Sequence, residues 1–221
     1  MAYGFKVEAW GERALFTRPE LKVERVSYDV ITPSAARGLL EAVYWHPGMR
    51  YVIDRIHVLN PIAFTSVRRN EVKDKASASL LKAAATGAKL LPHLYTGESI
   101  QQRASLILTD VRYIIEAHFE MTEKANASDN PGKFCDIVRR RLAKGQNYSQ
   151  PYLGCREFPA YLSLFEGECI PRGAYSDVEE RDLGLMLYDM DYSNPADYQP
   201  MFFRAVMRHG VIDVPGSEVY R

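Results

Sequence analysis

Apolar and charged side chains alternate most regularly between Leu106 and Met121. Val111, Tyr113, Ile115, Ala117 and Phe119 share one face there; Asp110, Arg112, Glu116, His118 and Glu120, with Ile114, share the other. Successive side chains of a strand point to opposite faces, so this pattern predicts a long strand with an apolar and a charged side. Such a strand belongs to a sheet that is open on one side. His118 therefore points away from the main core. A shorter strand is predicted over Gly4 to Trp10, with Phe5, Val7 and Ala9 on one face and Lys6, Glu8 and Trp10 on the other. Met49 to Leu59 reads as a further strand and Ile62 to Val72 as its neighbour, with Asn60-Pro61 as the turn between them.

Two helices are punctuated by their ends. Thr32-Pro33 supplies a capping hydroxyl and a proline at the first turn. Ala36, Leu39, Leu40 and Val43 follow at helical spacing, and Pro47-Gly48 ends the run, which puts Tyr44, Trp45 and His46 in the last turn. Asn130-Pro131 opens the second helix, Phe134, Ile137, Val138 and Leu142 form its stripe, and Gly145 closes it. Between the strands, residues 73–105 are rich in Ala, Lys, Ser and Gly and read as an insertion holding a short helix near Ser79–Ala85. After the apolar run Ala160–Phe165 the chain turns acidic, and the strand-like runs Gly184–Tyr188 and Met201–Arg208 suit a small β-rich extension. The expected fold is α+β. Residues 1–165 follow the β-α-β-β-α-β ferredoxin-like plan with the 73–105 insertion, and residues 166–221 form a small antiparallel extension. Many RNA-binding domains share that plan, with the open sheet face towards the nucleic acid.

Composition changes this picture in one respect. The chain has 221 residues, 47% hydrophobic and 25% charged, ample for a core and ordinary for a soluble globular protein. The first residues lack an apolar signal core, no apolar run is long enough to span a membrane, and Cys135, Cys155 and Cys169 are too few and too scattered for a disulfide framework or a zinc site. A cytoplasmic protein without metal or cofactor is expected. The net charge of zero hides an asymmetry. Residues 1–150 carry 22 Lys+Arg and 16 Asp+Glu, so 22 − 16 = +6, and residues 151–221 carry 6 and 12, so 6 − 12 = −6. A basic larger part suits a polyanion, and equally suits docking of the acidic part. Arg13, Arg18, Lys22 and Arg25 lie in a stretch with little helical phase, and Arg139, Arg140, Arg141 and Lys144 crowd one helix end. Both groups suit phosphate contacts; the first equally suits a solvated loop, and the second suits placement against the helix dipole somewhat better than a basic ridge.

Longer motifs narrow the function. The run FTRPELKVERVSYDVITPSAARGLLEAVYWHP is followed by Leu59-Asn60-Pro61-Ile62-Ala63-Phe64 and Val67-Arg68-Arg69-Asn70-Glu71-Val72. Further on come Gln102-Arg103, Asp110-Val111-Arg112-Tyr113, Ala117-His118-Phe119 and Tyr152-Leu153-Gly154-Cys155-Arg156-Glu157-Phe158-Pro159. Together they closely resemble the fifth CRISPR-associated (Cas) protein, subtype d, of type I-C CRISPR systems, a family of the RAMP superfamily. The resemblance implies metal-independent endoribonuclease cleavage of CRISPR repeat (precursor crRNA) hairpins. It also implies retention of the 5′ handle inside the type I-C Cascade complex, and duplex DNA as a further partner.

The family's catalytic set is a tyrosine, a lysine and a histidine. By resemblance Tyr44 matches the tyrosine and His118 the histidine. Glu116 and Ala117 occupy the places before His118 where a lysine is expected, and His46 is the substitute cation. The expected nucleic-acid contacts are Arg18, Lys22, Arg25, Arg37, Arg68, Arg69, Arg112, Arg139 and Arg140. Metal-free RNA cleavage needs a base for the 2′-OH, an acid for the leaving 5′ oxygen and positive charge at the phosphate. A histidine suits acid or base work and a tyrosine suits orienting the hydroxyl. Two other classes stay open: a Cascade subunit that binds the crRNA handle or duplex DNA without cutting, and a ferredoxin-like small-molecule enzyme. The absence of a phosphate loop or metal spacing speaks against the second.

Overall fold

The strand β5 (Ile100–Met121) is 22 residues long and holds the molecule together by changing partners along its length. The structure, a computed structural model, describes residues 4–21, 23–87, 93–194 and 196–220. The other elements are β1 (Phe5–Ala14), β2 (Arg25–Val26), α1 (Pro33–Val43), β3 (Met49–Val58), β4 (Phe64–Val72), α2 (Ala78–Ala85), α3 (Pro131–Ala143) and β6 (Tyr161–Leu164). They are followed by β7 (Arg181–Asp191), β8 (Gln199–Arg208), β9 (Val211–Asp213) and β10 (Val219–Tyr220). Among the described residues the strands form one mostly antiparallel sheet in the order β10-β8-β9-β3-β5-β1-β6, with β2 and β4 beside β5 and β7 beside β8. The fold class is α+β.

The first half of β5 pairs with β4, from Val72↔Ile100 to Phe64↔Leu108; the second half pairs with β3, from Val58↔Tyr113 to Met49↔Met121. The change falls at Asp110, whose φ of 48 lies in the left-handed region and whose carbonyl accepts a bond from the Asn60 side chain. A short polar residue tolerates that conformation better than a branched one. This corrects the expected neighbour of Ile62–Val72. The turn after Asn60 wraps round β5, held by Leu59 N–H to Arg112 O and Thr109 N–H to Ala63 O. β4 therefore lies against β5 and not β3. The expected insertion is shorter at its end, because β5 already begins at Ile100.

Both long helices start where their caps predict. The Thr32 hydroxyl accepts from Ala35 N–H, and the Asn130 side chain accepts from Lys133 N–H. α1 buries Ala36, Leu39, Leu40 and Val43, and α3 buries Phe134, Cys135, Val138 and Leu142, against the same sheet face as Phe5, Val7, Tyr51, Ile115, Ala117 and Phe119. Cys135 takes the place expected for Ile137, which is half-buried. α1 stops earlier than expected. Tyr44 is its C-cap, with an extended backbone, so Trp45 and His46 lie beyond the helix. The late strands do not stand apart, since β9 pairs with β3 and joins β8 to the main sheet.

Candidate functional site

At the C-terminal end of β5, the two sheet faces present different chemistry. On the face away from the helices, His118 Nδ1 lies 2.9 Å from each carboxylate oxygen of Asp54. Asp54 sits at a bulge in β3, between Ile53↔Ala117 and Arg55↔Glu116, which turns its side chain towards His118. One step inward, Glu116 is 3.0 Å from His57 Nε2, 3.8 Å from Arg55 and 3.9 Å from Lys6. Burial pushes the His57 imidazole below its ordinary value, against the opposing pull of Glu116. Beside this row opens a cleft of about 520 Å³, walled by Lys6, Asp54, Glu116, Arg139, Phe165 and Glu166. Arg139 reaches it from α3 and donates to Gly4 O at 3.2 Å. The cleft itself holds two cations, Lys6 and Arg139, and three carboxylates, and His118 adjoins it through its bond to Asp54; cations suit a phosphate and a histidine suits proton transfer.

On the helix face stands a packed aromatic group. The Tyr44 ring lies 6.5 Å from that of His46 and 6.1 Å from that of Phe134, and the Arg141 guanidinium sits 5.1 Å over it. Arg141 is fixed by donating to Val43 O at 2.7 Å, and the Tyr51 hydroxyl donates to Tyr44 O at 2.8 Å. Burial raises the Tyr51 phenol far above its ordinary value, with Tyr44 and Glu41 adding to the rise. His46 Nδ1 accepts from Gly48 N–H at 3.0 Å. Asp129 lies 3.8 Å away, its carboxyl held below its ordinary value by the Asn126 N–H and then by Lys133 and His46. Among the described residues neither Tyr44 nor His46 shares a hydrogen bond or ring contact with His118.

The expected phosphate contacts divide likewise. Arg18 pairs with Asp29 at 3.0 Å and covers the Tyr28 ring, Arg25 pairs with Glu71 at 3.2 Å, and Arg112 with Glu8 at 2.6 Å. Arg37 grips both oxygens of Asp189, tying α1 to β7, and Arg69 is bound by Glu157. Arg68 and Arg140 make no ion pair among the described residues, and Lys22 lies outside them. Lys6 and Asp54 are the cleft residues the sequence reading missed. The phase of Lys6 on β1 was visible, but its register opposite Glu116 was not. Among the described residues no group of three His, Cys, Asp or Glu side chains is placed to hold a metal, and no helix is long and apolar enough to cross a membrane.

A family model described as CRISPR-associated protein (Cas_Cas5) matches residues 4–215. The chain is 49% identical over 219 residues to a "CRISPR pre-crRNA endoribonuclease Cas5d" of Mannheimia succiniciproducens, covering 97% of this chain and 96% of that one. It is 42% identical over 236 residues to the protein of the same name from Thermus thermophilus, covering 98% and 94%. A solved structure of a CRISPR-associated protein is similar at a TM-score of 0.69 and 26% identity, over 95% of this chain and 90% of that one.

Proposed function

The chain belongs to the CRISPR-associated protein (Cas_Cas5) family, and from that premise we propose that it is a pre-crRNA endoribonuclease. It cuts CRISPR repeat RNA without a metal ion and keeps the 5′ handle of the product as a subunit of a type I-C Cascade complex in the cytoplasm. Identities of 49% and 42% over nearly the full length of the two named relatives support the activity. For the site, the carrying observation is the His118–Asp54 pair at the rim of a cleft with Lys6 and Arg139.

The chemistry follows from that pair. Asp54 accepts from Nδ1–H, which leaves Nε2 to exchange a proton with substrate. Nε2 takes the proton of the attacking 2′-OH as the O2′–P bond forms. Asp54 holds the resulting imidazolium, which returns the proton to the 5′ oxygen as the P–O5′ bond breaks. The products are a 2′,3′-cyclic phosphate and a 5′-OH. Lys6 and Arg139 offset the charge that develops on the phosphate, the task the family gives to its lysine. Tyr44, the family's tyrosine by resemblance, lies on the helix side with Arg141 over its ring and is assigned RNA contact there. The order β6-β1-β5-β3, with α1 and α3 as crossovers, supports a ferredoxin-like reading of residues 1–165, with the strands of residues 166–221 added through β9.

The test is incubation with the repeat RNA of the same locus in EDTA, beside an RNA carrying one 2′-deoxy nucleotide upstream of the cut. Cleavage of the first alone is expected. Ala117 in place of a lysine favours one second reading, a subunit that binds the handle without cutting. Tight binding with neither RNA cleaved would establish that reading instead.

A further inference from the structure

One feature of the open face is not used by the cleft. Trp10 on β1 faces Tyr161 on β6 in register, and Arg112 on β5 stands opposite Trp10 on its other side. The indole and phenol rings are stacked, 5.7 Å between centroids and 24° between planes. Trp10 is 36% and Tyr161 57% exposed. Large aromatic side chains gain by burial, so a stacked pair left partly in water at the edge of a sheet needs a reason.

The backbone beneath them is fixed. A Cβ at Gly11, the residue after Trp10, would fall 2.6 Å from a Leu153 methyl and 2.9 Å from Pro159 O, so the 153–159 turn presses directly on β1 there. β6 is the outer strand of the sheet on that side, and the Tyr161 ring stands at the molecule's edge. One cation stands beside the pair in register and a second lies further along β1. Arg112 is half-exposed and steadied by Glu8, and Arg13, three residues along β1, makes no ion pair among the described residues. Two rings beside one arginine make too small an apolar patch for a protein interface core. They suit a base with its phosphates, because every base has a π-face and every phosphate a charge.

We infer that Trp10 and Tyr161 form a stacking site for an unpaired nucleobase of the RNA, with Arg112 and Arg13 at the adjoining phosphates. The inference rests on the RNA-processing reading and adds a single-stranded subsite to it. From Arg112 to His118 is 118 − 112 = 6 residues of β5, or about 20 Å along the strand. The site would therefore hold an unpaired segment at a set distance from the cut and help fix where cleavage falls.

The chain has two tryptophans, Trp10 and Trp45, so Trp45→Phe leaves Trp10 as the only indole reporter. Titrating that variant with a short oligoadenylate should quench its emission to saturation. Trp10→Ala should weaken oligoadenylate binding roughly ten- to a hundredfold, with Trp10→Phe retaining most of it and Tyr161→Ala losing part. The emission readout uses an otherwise native chain, so a variant that fails to fold does not decide the matter. Oligoadenylate binding without any change in Trp10 emission overturns the stacking site. So does repeat RNA that is bound and cut normally while oligoadenylate is ignored. Indifference to both RNAs instead removes the RNA reading on which the site rests.

Discussion

The two sides of the sheet at the end of β5 share the same strands and have opposite characters. Tyr51 and Phe119 pair on the helix side, where Tyr44, Phe134 and Arg141 pack around them. Val52 and His118 pair one residue away, and there the neighbours are Asp54, Glu116 and Lys6. One side is held by apolar contact and one arginine; the other is a row of charges whose positions are set by register. A tyrosine and a histidine from the same family motif set thus sit in different environments, and their substitution should fail in different ways.

The largest expected effect is on the packed side. Phe134 is fully buried and touches the rings of Tyr44, His46 and Phe119, so Phe134→Ala should cost about 3–5 kcal/mol in denaturant unfolding. A midpoint equal to wild type would mean that side is not a packed core. Lys6→Gln on the open side should slow cleavage about a hundredfold by removing charge at the phosphate. Its unfolding midpoint should stay within about 0.5 kcal/mol of wild type. Loss of stability without loss of rate would reverse the assignment. Arg141→Ala should cost about 1 kcal/mol, the worth of a cation over a ring, and be seen in the same unfolding curves.

The smallest effect is one of pH. Burial holds His57 below its ordinary 6.5, among Glu116, Lys6 and Arg55. The unfolded chain therefore binds the proton more readily than the folded one. This contribution to stability is full above 6.5 and is lost as pH falls from there through the folded value. Melting temperature should decline over that window, and His57→Gln should flatten the decline. An unchanged slope in the variant would place the titration elsewhere.

Local signals in the sequence reached much of the fold. The alternation in β5 and the caps at Thr32 and Asn130 depend on neighbours within a few residues, and they place His118 on the charged face and both helix starts. Pairing is another matter. Nothing local tells Phe64–Val72 to lie against β5, because that follows from the left-handed turn at Asp110 and the bonds of Leu59 and Thr109 around it. The same limit hid the cleft. Asp54 reaches His118 across 64 residues through a bulge, and Lys6 meets Glu116 only by register. The arginines show the converse. Arg37 looked like a phosphate contact, but its partner is Asp189, 152 residues away on β7.

The proposed function assigns the proton transfer to His118, oriented by Asp54 on the open face. Single-turnover cleavage of repeat RNA by His118→Ala and Asp54→Asn, with RNA affinity measured in parallel, tests it most directly. His118→Ala should cut roughly a hundred- to ten-thousandfold more slowly at unchanged affinity, with Asp54→Asn between it and wild type. Cleavage by His118→Ala at the wild-type rate would instead move the chemistry to the helix side, to Tyr44 and Arg141.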